Sequence, residues 1–202
     1  MEWLQHLSPI ITAIGVIIMG WWKVTQKDRD YKADRKHQVE MERLELKHKR
    51  RNDHSMSVYN TLHEVRIALD ADRVYVVQPH PLGKESMLSI YFEVKRAGVS
   101  GMRDTVQELP MSEVPAFCAH LHDNLFLDIS DIDSLEDRYA KSLLATHGTR
   151  HVYIKRLSDN RYDWVGSIFV EFGREPEVDE REAKEVLHKA AMAIQYIIPE
   201  II

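Results

Sequence analysis

Hydrophobic and polar positions fall into three successive patterns along this chain. From Trp3 to Trp22 (WLQHLSPIITAIGVIIMGWW) there is no Asp, Glu, Lys or Arg. Apolar residues there surround a helix instead of lining one stripe, which suits lipid better than a soluble core. About 20 helical residues at roughly 1.5 Å each cross a hydrocarbon layer of about 30 Å, so residues 1–22 read as a transmembrane anchor. Ile10, Ile14, Ile17 and Ile18 would face lipid, with Trp3, Trp21 and Trp22 at the two headgroup boundaries. A cleaved signal peptide fits poorly, because Glu2 stands where a positive start is wanted and bulky Met19, Trp21 and Trp22 occupy the cleavage end. An interfacial helix is the alternative, since Gln5, His6 and Pro9 shorten the strictly apolar run.

Residues 23–54 form the second pattern, a charged helical stalk. No Gly or Pro stands between Gly20 and Pro79, and Asp28–Lys32 and Glu45–Lys49 are i, i+4 pairs with the acid first. The apolar positions Val24, Tyr31, Val39, Met41, Leu44 and Leu46 hold no lasting heptad, so a solvated single helix is expected, about 45 Å long if straight.

Residues 55–202 carry the mixed periodicities of a globular domain large enough for one core. Met56 to Leu69 read as a mostly apolar helix. Arg73–Gln78 and Met87–Val94 read as strands around the turn formers PHPLGKE. In the mixed stretch 98–148, a helix is expected around Val114–Leu121 and another from Ser134, whose SLED has capping-box spacing, to near Gly148. His151–Leu157 and Trp164–Phe172 read as strands joined by SDNRYD. A closing helix from Asp179 buries Ala183, Val186, Leu187, Ala190, Ala191 and Ile194, and Pro199 would end it. Strands between flanking helices make an α+β fold with an antiparallel sheet.

Charge changes the picture in one respect. Residues 1–51 carry eleven basic and seven acidic side chains, a formal +4, while residues 52–202 carry 16 and 25, a formal −9. Basic flanks are retained in the cytoplasm, so the expected topology is a single pass through the inner or plasma membrane with a cytoplasmic body. The basic stretch would also be drawn to anionic lipid. Interleaved acids, few aromatic platforms and an acidic body argue against nucleic acid. Cys118, the single cysteine, can form no internal disulfide.

Candidate chemistry is thin. His120, His122, Asp123, Asp128, Asp131 and Asp133 crowd one segment, but His-x-His on a helix sends its rings to different faces. The Asp run also lacks the Gly and closing Glu of a calcium loop, so no metal site is read. No phosphate loop, nucleophile elbow or zinc spacing is present, and no enzyme activity is expected.

The order LDADRVYVVQPHPLG, MLSIYFEV, a variable middle and RHVYIKRLSDNRYDWVGSIFVEFG before a closing amphipathic helix resembles a GAF domain over residues 55–198. Ala71–Asp72–Arg73–Val74 and Val165–Gly166–Ser167–Ile168–Phe169–Val170 hold the places of two family motifs. The resemblance implies an antiparallel sheet with helices on one face and a pocket under variable loops on the other. It also implies small-molecule sensing or dimerisation, with Phe117, Cys118, Leu121, Phe126, Tyr153 and Trp164 as candidate ligand contacts. The residues that would name a ligand are missing: Asn124 and Phe126 lack the Lys and Asp-Glu of cyclic-nucleotide binders, and Cys118 has its His two positions on, at His120, not beside it as in bilin binders. The cofactor is therefore left unknown.

Two function classes follow. One is a membrane-tethered GAF-like sensor or adaptor that binds a small ligand or a protein partner and acts through homo-oligomerisation, with Ala190, Ala191, Ile194, Ile198, Ile201 and Ile202 as candidate contacts. The other is a phage-type holin- or spanin-like protein acting by assembly in the bilayer. A part-polar cavity near residues 98–133 favours the first; a space filled by Phe117, Leu121, Leu125 and Phe126 favours the second.

Overall fold

The computed structural model describes Met41, residues 53–158 and residues 164–198. The chain divides into two units, Met1–Arg50 and Arg51–Ile202, and the fold described here belongs to the second. The expected anchor at residues 1–22, with Trp3, Ile10, Ile14, Ile17, Ile18, Trp21 and Trp22, lies outside the described residues, as does nearly all of the stalk. Among the described residues no helix is long and apolar enough to cross a membrane.

Helix α1 occupies residues 53–68. Its stripe Val58, Leu62, Val65 and Leu69 is spaced 4, 3 and 4 residues apart and is buried. Asp70, at φ 48°, ends it, and the Ala71 N–H returns to the Arg66 carbonyl at 3.0 Å. Two long strands follow, β1 (Arg73–Leu82) and β2 (Glu85–Lys95). Both outrun the expected strands, because most of PHPLGKE is itself in the hairpin and the reversal takes only Gly83 and Lys84, with Gly83 at φ 63°.

The middle section adds β3 (Leu109–Pro110), α2 (Pro115–Asp123), β4 (Phe126–Ile129) and α3 (Arg138–Thr146). Ser134 does not start α3, as the SLED spacing suggested. It closes a 3-10 turn, Ile132–Ser134, and α3 begins after Asp137, whose carboxylate accepts a 2.5 Å hydrogen bond from Phe117 N instead of capping its own helix. Strands β5 (His151–Ser158) and β6 (Trp164–Phe172) and helix α4 (Glu180–Ile194) complete the domain. The Asp179 side chain caps α4, accepting from Glu182 N at 2.8 Å.

All six strands join one antiparallel sheet in the order β3-β2-β1-β6-β5-β4. On one face Val74, Val76, Ile168, Val170 and Phe172 meet α1 and α4. On the other, Tyr75, Val77, Ile154 and Phe169 meet α2, α3 and the loop that carries Met102 and Val106. The expectation of helices on one face only is thus corrected. The second face is covered too, because Phe117, Leu121, Ala140 and Leu144 give α2 and α3 apolar sides that have to be buried.

Candidate functional site

The space between the sheet and α2 is the first place to look for a ligand, and it is nearly full. A cavity of about 40 Å³ remains there, walled by Tyr75, Ile90, Met102, Phe117, Leu121 and Phe169. Tyr75 stacks on Phe169 with ring centroids 5.1 Å apart, and Phe117 lies 6.1 Å from the same ring. Drug-sized ligands occupy about 300–1,000 Å³, so this remnant accepts none of them.

At one end of that layer lies a group that the sequence reading passed over. Glu171, fully buried, accepts from Arg73 Nε at 2.9 Å and Nη2 at 2.5 Å, from Thr149 Oγ1 at 2.6 Å, and from the Tyr75 hydroxyl. Arg73 also donates to the Ser100 and His147 carbonyls, each at 3.0 Å. Burial, then the Glu171 charge, pushes the Tyr75 phenol well above its ordinary value. Four segments are tied by these bonds: β1, β6, the loop after β2 and the turn before β5. Their sequence signal was a pair of charges at inward positions, Arg73 alternating with Tyr75 and Val77, and Glu171 with Phe169 and Ser167.

The six candidate ligand contacts do not come together. Phe117, Cys118 and Leu121 lie buried on α2 against the second face, and Trp164 packs at its margin. Trp164 Nε1 donates to Ser167 Oγ at 3.0 Å, and its ring meets His122 edge-on at 6.4 Å. Phe126 and Tyr153 belong to the opposite face, with ring centroids 5.9 Å apart. Burial first, then the carboxylate of Asp128, raises the Tyr153 phenol to about 12. The Cys118 thiol points to Met111 O at 3.9 Å; burial, followed by Asp137, raises it to about 11. Such a thiol is protonated at neutral pH and is a poor nucleophile. Among the described residues no three His, Cys, Asp or Glu side chains converge as metal ligands.

Outside the filled layer a real concavity opens between α2, β4 and the 130–137 segment. This cleft holds about 440 Å³. Phe117, Leu127, Ile129 and Leu135 form its apolar lining, Asp131, Glu136 and Asp137 bring three carboxylates, and Asp128 borders it with its side chain on the other face of β4. Among the described residues, His120 is the one basic side chain on its wall, with no Lys or Arg. Asp128 is turned toward the buried His151, with Oδ1 2.8 Å from Nε2. Of the six candidates from sequence, Phe117 alone lines the cleft. Leu125, expected to fill space, is 66% exposed.

No family model matches the sequence, and no curated protein matches it. Solved structures match its fold. The blue-light absorbing PixJ GAF domain of Thermosynechococcus elongatus superposes with a TM-score of 0.58 at 16% identity, over 72% of this chain and 85% of its own. A GAF domain/HD domain protein from Geobacter sulfurreducens gives 0.53 at 13%, over 72% and 94%. The phycocyanobilin-bound GAF domain of a cyanobacterial phytochrome gives 0.53 at 18%, over 69% and 83%. The fold is therefore GAF-like, an α+β domain with a six-stranded antiparallel sheet.

Proposed function

We propose that this chain is a membrane-tethered sensory or adaptor module of the GAF fold, which recognises a small ligand or a protein partner at the cytoplasmic face and acts through homo-oligomerisation. The observation that carries the reading is the cleft of about 440 Å³, which falls within the size range of binding sites and combines an apolar lining with a few polar groups. Recognition belongs at this cleft and not in the inner layer, where about 40 Å³ is left. Tethering rests on the uncharged run Trp3–Trp22 and the basic residues after it.

A bilin, the ligand of a structural neighbour, does not fit. The inner layer is filled by Phe117, Leu121 and Met102, and the Cys118 thiol is held protonated with its sulphur toward a carbonyl. No covalent chemistry is assigned to Cys118.

The second reading, a holin- or spanin-like protein working by assembly, draws on that same filled layer. Of the four residues expected to fill it, Phe117 and Leu121 are there, while Leu125 is exposed and Phe126 packs on the other face. Native mass spectrometry of the full chain from mild detergent separates the two. A co-purifying small molecule or protein, lost when the cleft is altered, supports recognition. A bare oligomer moves the balance to assembly.

A further inference from the structure

Among the described residues, the cleft is bordered by a strand with one side unpaired: β4 is the last in the sheet and pairs with β5 alone. The Arg156 N–H bonds the Leu125 carbonyl at 3.2 Å, and Leu127 and Ile129 follow at the same alternation, facing Ile154 and Val152. By that register the N–H and C=O groups of Phe126 and Asp128 point away from the sheet. Asp128 is exposed as a residue even though its carboxylate is drawn in against His151, which leaves its main chain open to solvent. An edge of this kind is a template for another strand.

Beside it, Leu127, Ile129 and Leu135 make an apolar floor, and Asp131 and Glu136 stand exposed on the rim, with no Lys or Arg among the described residues lining the cleft. The stem of a Lys or Arg could lie on that floor while its charged head reaches the rim carboxylates. On the other side of β4, half-buried Phe126, packed on Tyr153 with Lys184 Nζ 5.1 Å from its ring centroid, leaves part of an apolar surface open. A strand alternating basic and apolar residues would match both sides at once.

We propose that β4 and the cleft beside it dock an extended basic segment of a partner protein, which adds to the sheet as a seventh strand. The inference rests on the placement of recognition at this cleft and deepens it by naming the occupant. Up to four main-chain hydrogen bonds, from Phe126 and Asp128, would hold the added strand, and the rim acids would select its charge.

The test uses the full chain in uncharged detergent and a dye-labelled, end-blocked decapeptide of alternating Lys and Val. Fluorescence anisotropy should show binding, and hydrogen exchange should slow at the Phe126 and Asp128 amides. The same peptide N-methylated at alternate amides should bind at least about tenfold more weakly, as should the Glu–Val decapeptide. Asp131→Asn with Glu136→Gln, both exposed, should weaken the Lys–Val peptide by about tenfold. Equal binding of the N-methylated peptide, equal binding to the neutralised variant, or protection away from β4 overturns the proposal. If no peptide binds but a small molecule occupies the cleft, this inference fails and the function reading stands. If neither does, both fail.

Discussion

Arg73 and Glu171 sit 98 positions apart in sequence and 2.5 Å apart in the folded domain, their side chains 2% and 0% exposed. Removing one member of such a pair leaves the other charge buried without compensation, which costs about 3–5 kcal/mol. Arg73→Met deprives Glu171 of its cation and abandons the Ser100 and His147 carbonyls. Glu171→Gln keeps the shape but leaves the guanidinium buried with neutral acceptors. Each single variant is expected to lose about 3–5 kcal/mol, a large share of the roughly 5–15 kcal/mol that holds an ordinary domain. The double variant removes both charges, so its loss should fall short of the sum by about 2 kcal/mol or more. Urea-dependent hydrogen exchange at the β1 and β6 amides of the full chain reads this domain whatever residues 1–52 do. Two single losses below about 1 kcal/mol, or losses additive to within about 0.5 kcal/mol, would refute the reasoning.

Other consequences can be checked with less effort. The Cys118 thiol, raised from 9.0 to about 11, should hold roughly a hundredfold less thiolate below pH 9 than an ordinary cysteine. Its alkylation should be correspondingly slow at pH 8, and an inflection in the rate near pH 9 would contradict the burial argument. The sign is that of a raised acid: the unfolded thiol ionises first, so this stability term is whole below pH 9 and lost as pH rises to about 11. Phe117→Ala should cost about 3–5 kcal/mol by enlarging the inner cavity, and a loss under about 1 kcal/mol in urea unfolding would mean that the layer closes around the gap. Gly166→Ala should also destabilise, because a Cβ there would stand 2.7 Å from the Val77 carbonyl oxygen; an unchanged melting temperature would count against that close approach.

Apolar runs rich in β-branched and aromatic residues, bounded by turn formers, made β1, β2, β5 and β6 legible, and apolar positions at helical spacing did the same for α1, α2 and α4. Strand β4 escaped because FLDI is four residues long and three of them are apolar, too short for a period to be seen. Strand β3 has two residues and exists only by pairing with Met87 and Leu88. The start of α3 was misplaced because a capping box is a local pattern, while Asp137 is recruited by a helix 20 residues back. The cleft itself was out of reach, since its walls come from α2, β4 and the 130–137 segment and no spacing within any one of them encodes a concavity. The ADRV stretch was legible only as a resemblance, and its physical content lies in tertiary contacts. Ala71 and Val74 are core, the Asp72 carboxylate accepts from Gly173 N at 2.7 Å, and Arg73 enters the buried ion pair.

The strand order also has a consequence for how the domain comes into being. β1 lies at the centre of the sheet, yet its second neighbour is β6, with Val77 opposite Ser167. A ribosome adding about 5–20 residues per second needs roughly 5–20 s to make the intervening chain. During that interval the β1–β2 hairpin has one long edge uncovered, and Arg73 has no Glu171 to neutralise it. The nascent domain is therefore most exposed to aggregation between synthesis of its first and last strands, and its central pairing is among the last long-range contacts to form.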